Sequence, residues 1–396
     1  FISFCLYKLY FCLLFGKISL LSLLDFAVQQ NVDTKKIMQK FTEKVHCEEE
    51  RHEIVWVKRK INEESSDDKA ESNKQIETDN LQLFPIVYSK QYGVHFAKLE
   101  KLHPFDAEKG KHIAKLLNEA KWIENWKFYE PLEISKEELL KVHTPEYLRS
   151  LNWSINAAKI SEIPLLAFVP NCFVQCGYLK PMRFQTAGSI LAGKLALNHG
   201  WAINLGGGFH HCCSYRGGGF CAYADITLLI QRTFVEESYI KKIMIIDLDA
   251  HQGNGHERDF LNNRNVYIMD MYNAYIYPKD EPAKLAIDCG VELLPKTEDA
   301  EYLRYLKRGL QFALKEFRPQ LVVYNAGTDI LLGDPLGALS ITPEGVIERD
   351  RFVFSTCRSE KIPIVMLLSG GYLKSSAKVI AESIINLKHQ DLLTLR

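Results

Sequence analysis

From about residue 83 onward, short unbroken apolar runs alternate with longer stretches in which apolar side chains recur every three or four positions. The runs Ala202 to Leu205, Ile243 to Ile246, Val266 to Met269, Leu321 to Tyr324 and Ile364 to Leu368 predict strands covered on both faces. Ala187 to His199, Asp299 to Phe317 and Ser375 to Leu387 carry the helical period and predict amphipathic helices. Strands alternating with helices form βαβ units, so the expected class is α/β with an open, mainly parallel sheet. Phe84 to Tyr88 predicts the first strand.

The pattern differs upstream. Residues 31–80 are dense in Lys and Glu, and the run Asn62 to Asn80 contains no aromatic and a single Ile, the composition of a solvated linker. Phe1 to Leu24 is almost wholly apolar. About 20 such residues suit a membrane-spanning helix or a secretory signal. The division expected is an apolar leader and charged linker over 1–82, outside the main fold, and a folded domain over 83–396.

Composition narrows the function. In 396 residues, Lys plus Arg and Asp plus Glu are 49 each, so overall charge indicates neither a nucleic-acid surface nor an acidic partner. No nucleic-acid binding is expected. The ten cysteines lack the spacing of a small disulfide scaffold and are read as mostly free thiols in a reducing compartment, which speaks against secretion or a membrane anchor. No CxxC pair occurs, which removes the usual four-thiolate zinc site and turns attention to His and carboxylate.

The chemistry sits just past the strands. Leu205 is followed by three glycines, Phe209, His210 and His211; Ile246 by Asp247, Leu248, Asp249, Ala250 and His251; Tyr324 by Asn325, Ala326, Gly327, Thr328 and Asp329; Leu368 by Ser369, Gly370, Gly371 and Tyr372. The carboxyl ends of parallel strands share one edge of the sheet, where ligands bind. Asp249 and His251, two apart, would point to the same side of an extended chain and reach one ion. With Asp329 they make three protein ligands with an open position, the pattern of catalytic zinc, though mixed N/O ligation also admits iron or cobalt. Taken alone, Asp249 is equally a strand-end cap and His251 a satisfied loop histidine. One of the two adjacent histidines could serve as general base and general acid. Asp247 could orient a histidine, and Tyr372 could donate to an oxyanion. The glycine run lacks the Lys-Ser/Thr ending of a phosphate-binding loop.

With these residues assembled, the chain resembles the zinc-dependent histone deacetylases, most closely the class IV (histone deacetylase 11) group. The likeness runs from about Pro85 to Leu387 through LEKLHPFDAEKG at Leu99, VHTPEYL at Val142, GGGFHH at Gly206, RGGGFCAYADITL at Arg216, IDLDAHQGNGHERDF at Ile246, YNAGTDILLGD at Tyr324 and SGGY at Ser369. The resemblance implies the arginase/deacetylase fold, a three-layer α/β/α sandwich. It implies Zn2+ held by Asp249, His251 and Asp329, tandem catalytic histidines His210 and His211, Tyr372 polarising the scissile carbonyl, and Asp247 as partner of His210. Gly219 and Phe220 resemble the wall of an acyl-lysine channel. The backbone from Asp247 to His251 with Asp270 resembles a structural K+ site. Acyl-lysine proteins including histones are the implied substrates, carrying acetyl or long-chain fatty acyl groups. Co-repressor proteins are the implied partners, and nucleus and cytoplasm the implied location.

Two departures stand out. Many members of the wider family carry an Asp where this chain has Asn254, as the resemblance to class IV implies, facing the second catalytic histidine, and an uncharged partner makes His211 a weaker base. Cys213 and Tyr215 make the segment after the histidines less polar than in class IV, which bears on acyl-chain preference. Two rival readings fit part of the pattern. A two-manganese ureohydrolase on the same fold would need a carboxylate where Gly253 stands. A silent acyl-lysine binding or scaffold module would not need the full set of ligands, histidines and tyrosine.

Overall fold

The computed structural model describes residues 82–95, 104, 106–120 and 126–395. The apolar leader and charged linker lie outside the described residues. Eight strands form one parallel sheet: β1 (Gln82–Val87), β2 (Trp126–Tyr129), β3 (Trp201–Asn204), β4 (Ile243–Asp247), β5 (Val266–Asn273), β6 (Cys289–Leu293), β7 (Leu321–Asn325) and β8 (Ile364–Leu367). Their spatial order is β2-β1-β3-β8-β7-β4-β5-β6. Each predicted strand is present within a residue or two, except that β5 runs on to Asn273. The two edge strands β2 and β6 escaped the pattern. An edge strand needs no continuous apolar run, and β6 alternates half-buried with exposed positions.

Helices packed around the sheet include α1 (Lys109–Glu119), α2 (Lys180–His199), α3 (Asp225–Glu236), α4 (Asn254–Phe260), α5 (Asp299–Phe317), α6 (Pro343–Ser359) and α7 (Ser376–His389). α5 has the predicted bounds, and α2 begins about two turns earlier than its apolar period, with Pro181 in the first turn where a missing N–H costs nothing. Side-chain alternation along the strands divides the interior in two. Ile203, Met244, Ile246, Val322, Tyr324, Ile364 and Met366 pack with α1, α5, α6 and α7, whereas Ala202, Ile243, Ile245, Leu321, Val323, Val365 and Leu367 pack with α2 and α3. The result is the three-layer α/β/α sandwich.

Register positions the site. Asn204 pairs with Leu367, Leu367 with Asn325, Asn325 with Asp247, and Asp247 with Asp270. The four strands whose ends carry the candidate residues, β3, β8, β7 and β4, are therefore contiguous and end level with one another. Their loops leave the sheet side by side.

Candidate active site

The loop after β3 turns through Gly207 and Gly208, with φ of +69° and +79°, where a side chain would be strained. A Cβ on Gly208 would also lie 2.8 Å from the Ser369 backbone nitrogen. The loop is pinned by Asp225 at the start of α3, whose carboxylate accepts from the Gly208 and Phe209 N–H groups at 2.8 Å each. His210 and His211 follow, buried, with ring centroids 4.1 Å apart.

Past β4 the chain bends, so Asp249 and His251 are not the extended pair that their spacing suggested. They converge nevertheless: His251 Nδ1 lies 3.0 Å from Asp249 Oδ1 and 2.9 Å from Asp329 Oδ2. All three side chains are buried, and their candidate ligand atoms lie within 4.8 Å of one another. Zinc–ligand bonds of about 2.0–2.1 Å in a tetrahedron set ligand atoms roughly 3.3 Å apart, so the donor set fits such an ion. Backbone N–H groups hold the carboxylates: Ala250 donates to Asp329 Oδ1 and Gly370 to Asp249 Oδ2, both at 2.9 Å. Burial and the neighbouring Asp249 charge push Asp329 up to about 7. Burial opposes charge on His251, but Asp249 and Asp329 override it and raise it to about 10. Two buried carboxylates that stabilise a proton on the imidazole between them would equally stabilise a metal cation in its place.

The two histidines have different partners. His210 Nδ1 lies 3.0 Å from Asp247 Oδ2, and its Nε2 lies 3.6 Å from Asp249. Burial alone would depress His210, but Asp247 and Asp249 lift it to about 9. His211 Nδ1 meets the Asn254 carbonyl oxygen at 2.9 Å, and its pKa is lowered well below the ordinary histidine range by burial and then by the charges of His210 and His251. Gly219 lies so close that a Cβ there would sit 2.3 Å from the His211 ring. Phe220, buried and at φ +66°, packs on Tyr178 with centroids 5.2 Å apart.

Tyr372 stands beside the triad, its ring centroid 6.3 Å from that of His251. Two residues not singled out from the sequence hold its turn: buried Lys109 donates to the carbonyls of Ser369 and Gly370 at 2.6 and 2.8 Å, and Asp334 accepts the Tyr372 N–H at 2.9 Å. Their signal was present, since both lie inside the conspicuous motifs, but motif membership does not tell a support from a packing residue. His256 and Tyr277 were also missed. Tyr277 packs edge-on against His211 at 4.9 Å. Tyr215 is half exposed, with Arg258 Nη1 donating to its hydroxyl at 3.5 Å.

Asp270 is buried on β5, accepts the Gly253 N–H at 2.8 Å through Oδ2, and leaves Oδ1 without a hydrogen-bond partner, as does Glu257 with Oε1. Burial, then the charges of Asp247 and Glu257, push its carboxyl well up. Orphaned oxygens of this kind fit a hard cation with oxygen ligands.

The profile of the histone deacetylase domain matches residues 103–387. The chain belongs to the histone deacetylase family. It is 53% identical over 311 residues to Histone deacetylase 2 of Arabidopsis thaliana, covering 78% of this chain and 80% of the relative. It is 29% identical over 289 residues to the acetoin utilization protein AcuC of Staphylococcus aureus, covering 68% and 72%. In three dimensions it is similar to the crystal structure of the HDA15 HD domain, with a TM-score of 0.63, 19% identity, and 79% and 89% of the two chains covered; that likeness bears on the fold alone. Family membership makes this histone deacetylase chain a deacetylase-type hydrolase. Among the described residues, no helix is long and apolar enough to cross a membrane. Cys172, Cys176, Cys212, Cys213, Cys221, Cys289 and Cys357 are free thiols.

Proposed function

We propose that this histone deacetylase relative hydrolyses acyl groups from lysine side chains with one zinc ion, that it falls in the class IV group, and that it accepts long-chain fatty acyl groups as well as acetyl. The observation that carries the reading is the convergence of Asp249, His251 and Asp329 with His210, His211 and Tyr372 at the ends of four adjacent strands. Zinc bound by Asp249, His251 and Asp329 supplies Lewis-acid polarisation at the reacting carbonyl. His211, kept neutral, takes the proton from the attacking water and passes it to the lysine nitrogen as the C–N bond breaks and the carboxylic acid leaves. His210, held charged by Asp247, stabilises negative charge electrostatically, and Tyr372 donates to the oxygen of the carbonyl under attack. Phe220 and Gly219 wall the channel for the lysine stem.

The long-chain reading is supported by a cavity of about 780 Å³ that borders His210, His211 and Tyr372 and continues past Leu205 and Phe209 to Tyr88. A cavity of this size is at the upper end of small-ligand sites, larger than an acetyl group requires. Asp270 and the turn from Asp247 to His251 would hold a structural potassium ion. Residues 83–396 form the catalytic unit, acting on acyl-lysine proteins, histones among them, in nucleus and cytoplasm with co-repressor proteins as partners. The test is zinc-loaded protein with acyl-lysine peptides of increasing chain length. Turnover persisting from acetyl to long chains supports the reading, turnover of acetyl alone removes the long-chain part, and no turnover of any peptide removes the whole.

A further inference from the structure

The neutral partner of His211 is itself committed at its other end. Asn254 accepts from His211 through Oδ1, and its Nδ2 donates to Asp280 Oδ2 at 3.0 Å. Which end of an amide faces which partner is decided by the hydrogen bonds around it. A carboxylate only accepts, so the NH2 end must face Asp280 and the carbonyl must face His211. A carbonyl in turn requires Nδ1–H on His211, which leaves Nε2 with the free lone pair.

Asp280 is well placed to impose this order. Arg258 donates to it from Nε at 2.9 Å and from Nη2 at 2.5 and 2.6 Å, and Arg216 Nη2 lies 3.6 Å away. Asn254 and Arg258 are four residues apart on α4 and so leave the same face of the helix, both toward Asp280. The backbone of residue 280 is clamped as well. Its N–H donates to Gln252 Oε1 and its carbonyl accepts from Gln252 Nε2, each at 3.0 Å, and Gln252 directly follows His251. Burial would raise the Asp280 carboxyl, but the bonds from Arg258 and Asn254 hold it below the usual carboxylate range.

We propose that Asp280 is a positioning residue of the acyl-lysine site: through Asn254 it fixes which nitrogen of His211 carries the proton and which is free to accept one. The chain thus carries an Asp–Asn–His relay. Because each hydrogen bond polarises the next, an amide that donates to a carboxylate is a stronger acceptor for His211 than an isolated amide. The kinetic part of this inference rests on the deacylase reading; the tautomer part does not.

The experiment compares full-length wild type with Asp280→Asn, Asn254→Asp and the double exchange. Turnover of one acyl-lysine peptide is measured together with 15N spectra of histidine-labelled protein and thermal melting. Asp280→Asn replaces an acceptor-only partner with an amide that can present either its carbonyl or its NH2 to Asn254, so the Asn254 amide is no longer held one way round, kcat should fall by roughly tenfold or more with KM within about twofold, and His211 should show a mixture of tautomers. Asn254→Asp alone sets two carboxylates against each other and should also lose turnover. The double exchange restores the bond with donor and acceptor reversed, and should turn over faster than either single variant. A role confined to tying the loop to α4 would lower melting temperature without altering the tautomer. The proposal is overturned if Asp280→Asn keeps wild-type kcat with His211 protonated only at Nδ1, or if the double exchange is no faster than the slower single variant. Should one single variant fail to fold, the double exchange is set against the other by the same two readouts, and a double exchange no faster than that variant overturns the proposal. If wild type turns over no acyl-lysine peptide, the deacylase reading falls, and the tautomer spectra still decide the role of Asp280.

Discussion

Asp247 is shared by two imidazoles: its Oδ2 lies 3.0 Å from His210 Nδ1 and 2.8 Å from His256 Nε2. Its other oxygen accepts from the Asp249 N–H at 3.2 Å and from Asn325 Nδ2 at 2.9 Å. The carboxylate is thus saturated, and what His210 receives depends on what His256 supplies. Replacing His256 by Leu removes one donor from a fully buried acceptor, a loss of about 1–3 kcal/mol. His256→Gln keeps an N–H within reach and should lose less. Urea unfolding of the two variants measures the difference, and equal stabilities would show that His256 adds nothing to Asp247.

Metal analysis of the purified protein should give a stoichiometry near one, because Asp249, His251 and Asp329 form the single site expected to hold a catalytic ion. Asp329→Ala removes one of three ligands and should lose the ion, and chelation of wild type should lower its melting temperature, since a ligand bound only by the folded state stabilises it. Retention of metal by Asp329→Ala at wild-type level would contradict the assignment.

Among the groups assigned to proton and charge transfer, His211→Ala should lower turnover by about 10²–10⁴-fold with metal retained, the usual contribution of general acid-base catalysis. Tyr372→Phe should remove one oxyanion donor, worth about 3 kcal/mol in comparable sites. Both are read from kcat on one acyl-lysine peptide beside His210→Ala. A His211→Ala protein with near wild-type kcat would move the base elsewhere.

Acid stability should carry the mark of His143, which lies apart from the metal triad. Its Nδ1–H donates to the Ser214 carbonyl and its Nε2 accepts from the Ala224 N–H, each at 3.1 Å, so the buried ring is held neutral. Burial lowers its pKa from 6.5 to about 4. A histidine with a depressed folded pKa stabilises above its unfolded value, here above pH 6.5, and that stability is lost as pH falls through 6.5 toward 4. The span corresponds to roughly 3 kcal/mol. Urea unfolding at several pH values should show a steeper decline between pH 6.5 and 4 in wild type than in His143→Gln, and parallel declines would exclude this source.

Much of this protein was legible in its sequence because buried strands and amphipathic helices write their periods directly into the chain. The six inner strands and α5 follow from that periodicity, and the motif order carries the family and the candidate ligands. Local pattern fails where the partner is remote. Asp225 under the glycine loop, Lys109 and Asp334 around Tyr372, and His256 on Asp247 are ordinary polar residues until folding places them. The sequence likewise shows that Asn254 is uncharged and suggests a weaker His211, but not that Asp280, 26 positions further on, closes against that amide. Composition and period decide which residues are buried and in what element. Register and loop packing, which depend on segments far apart in the chain, decide which side chains share a hydrogen bond, and through it the protonation and orientation on which chemistry depends.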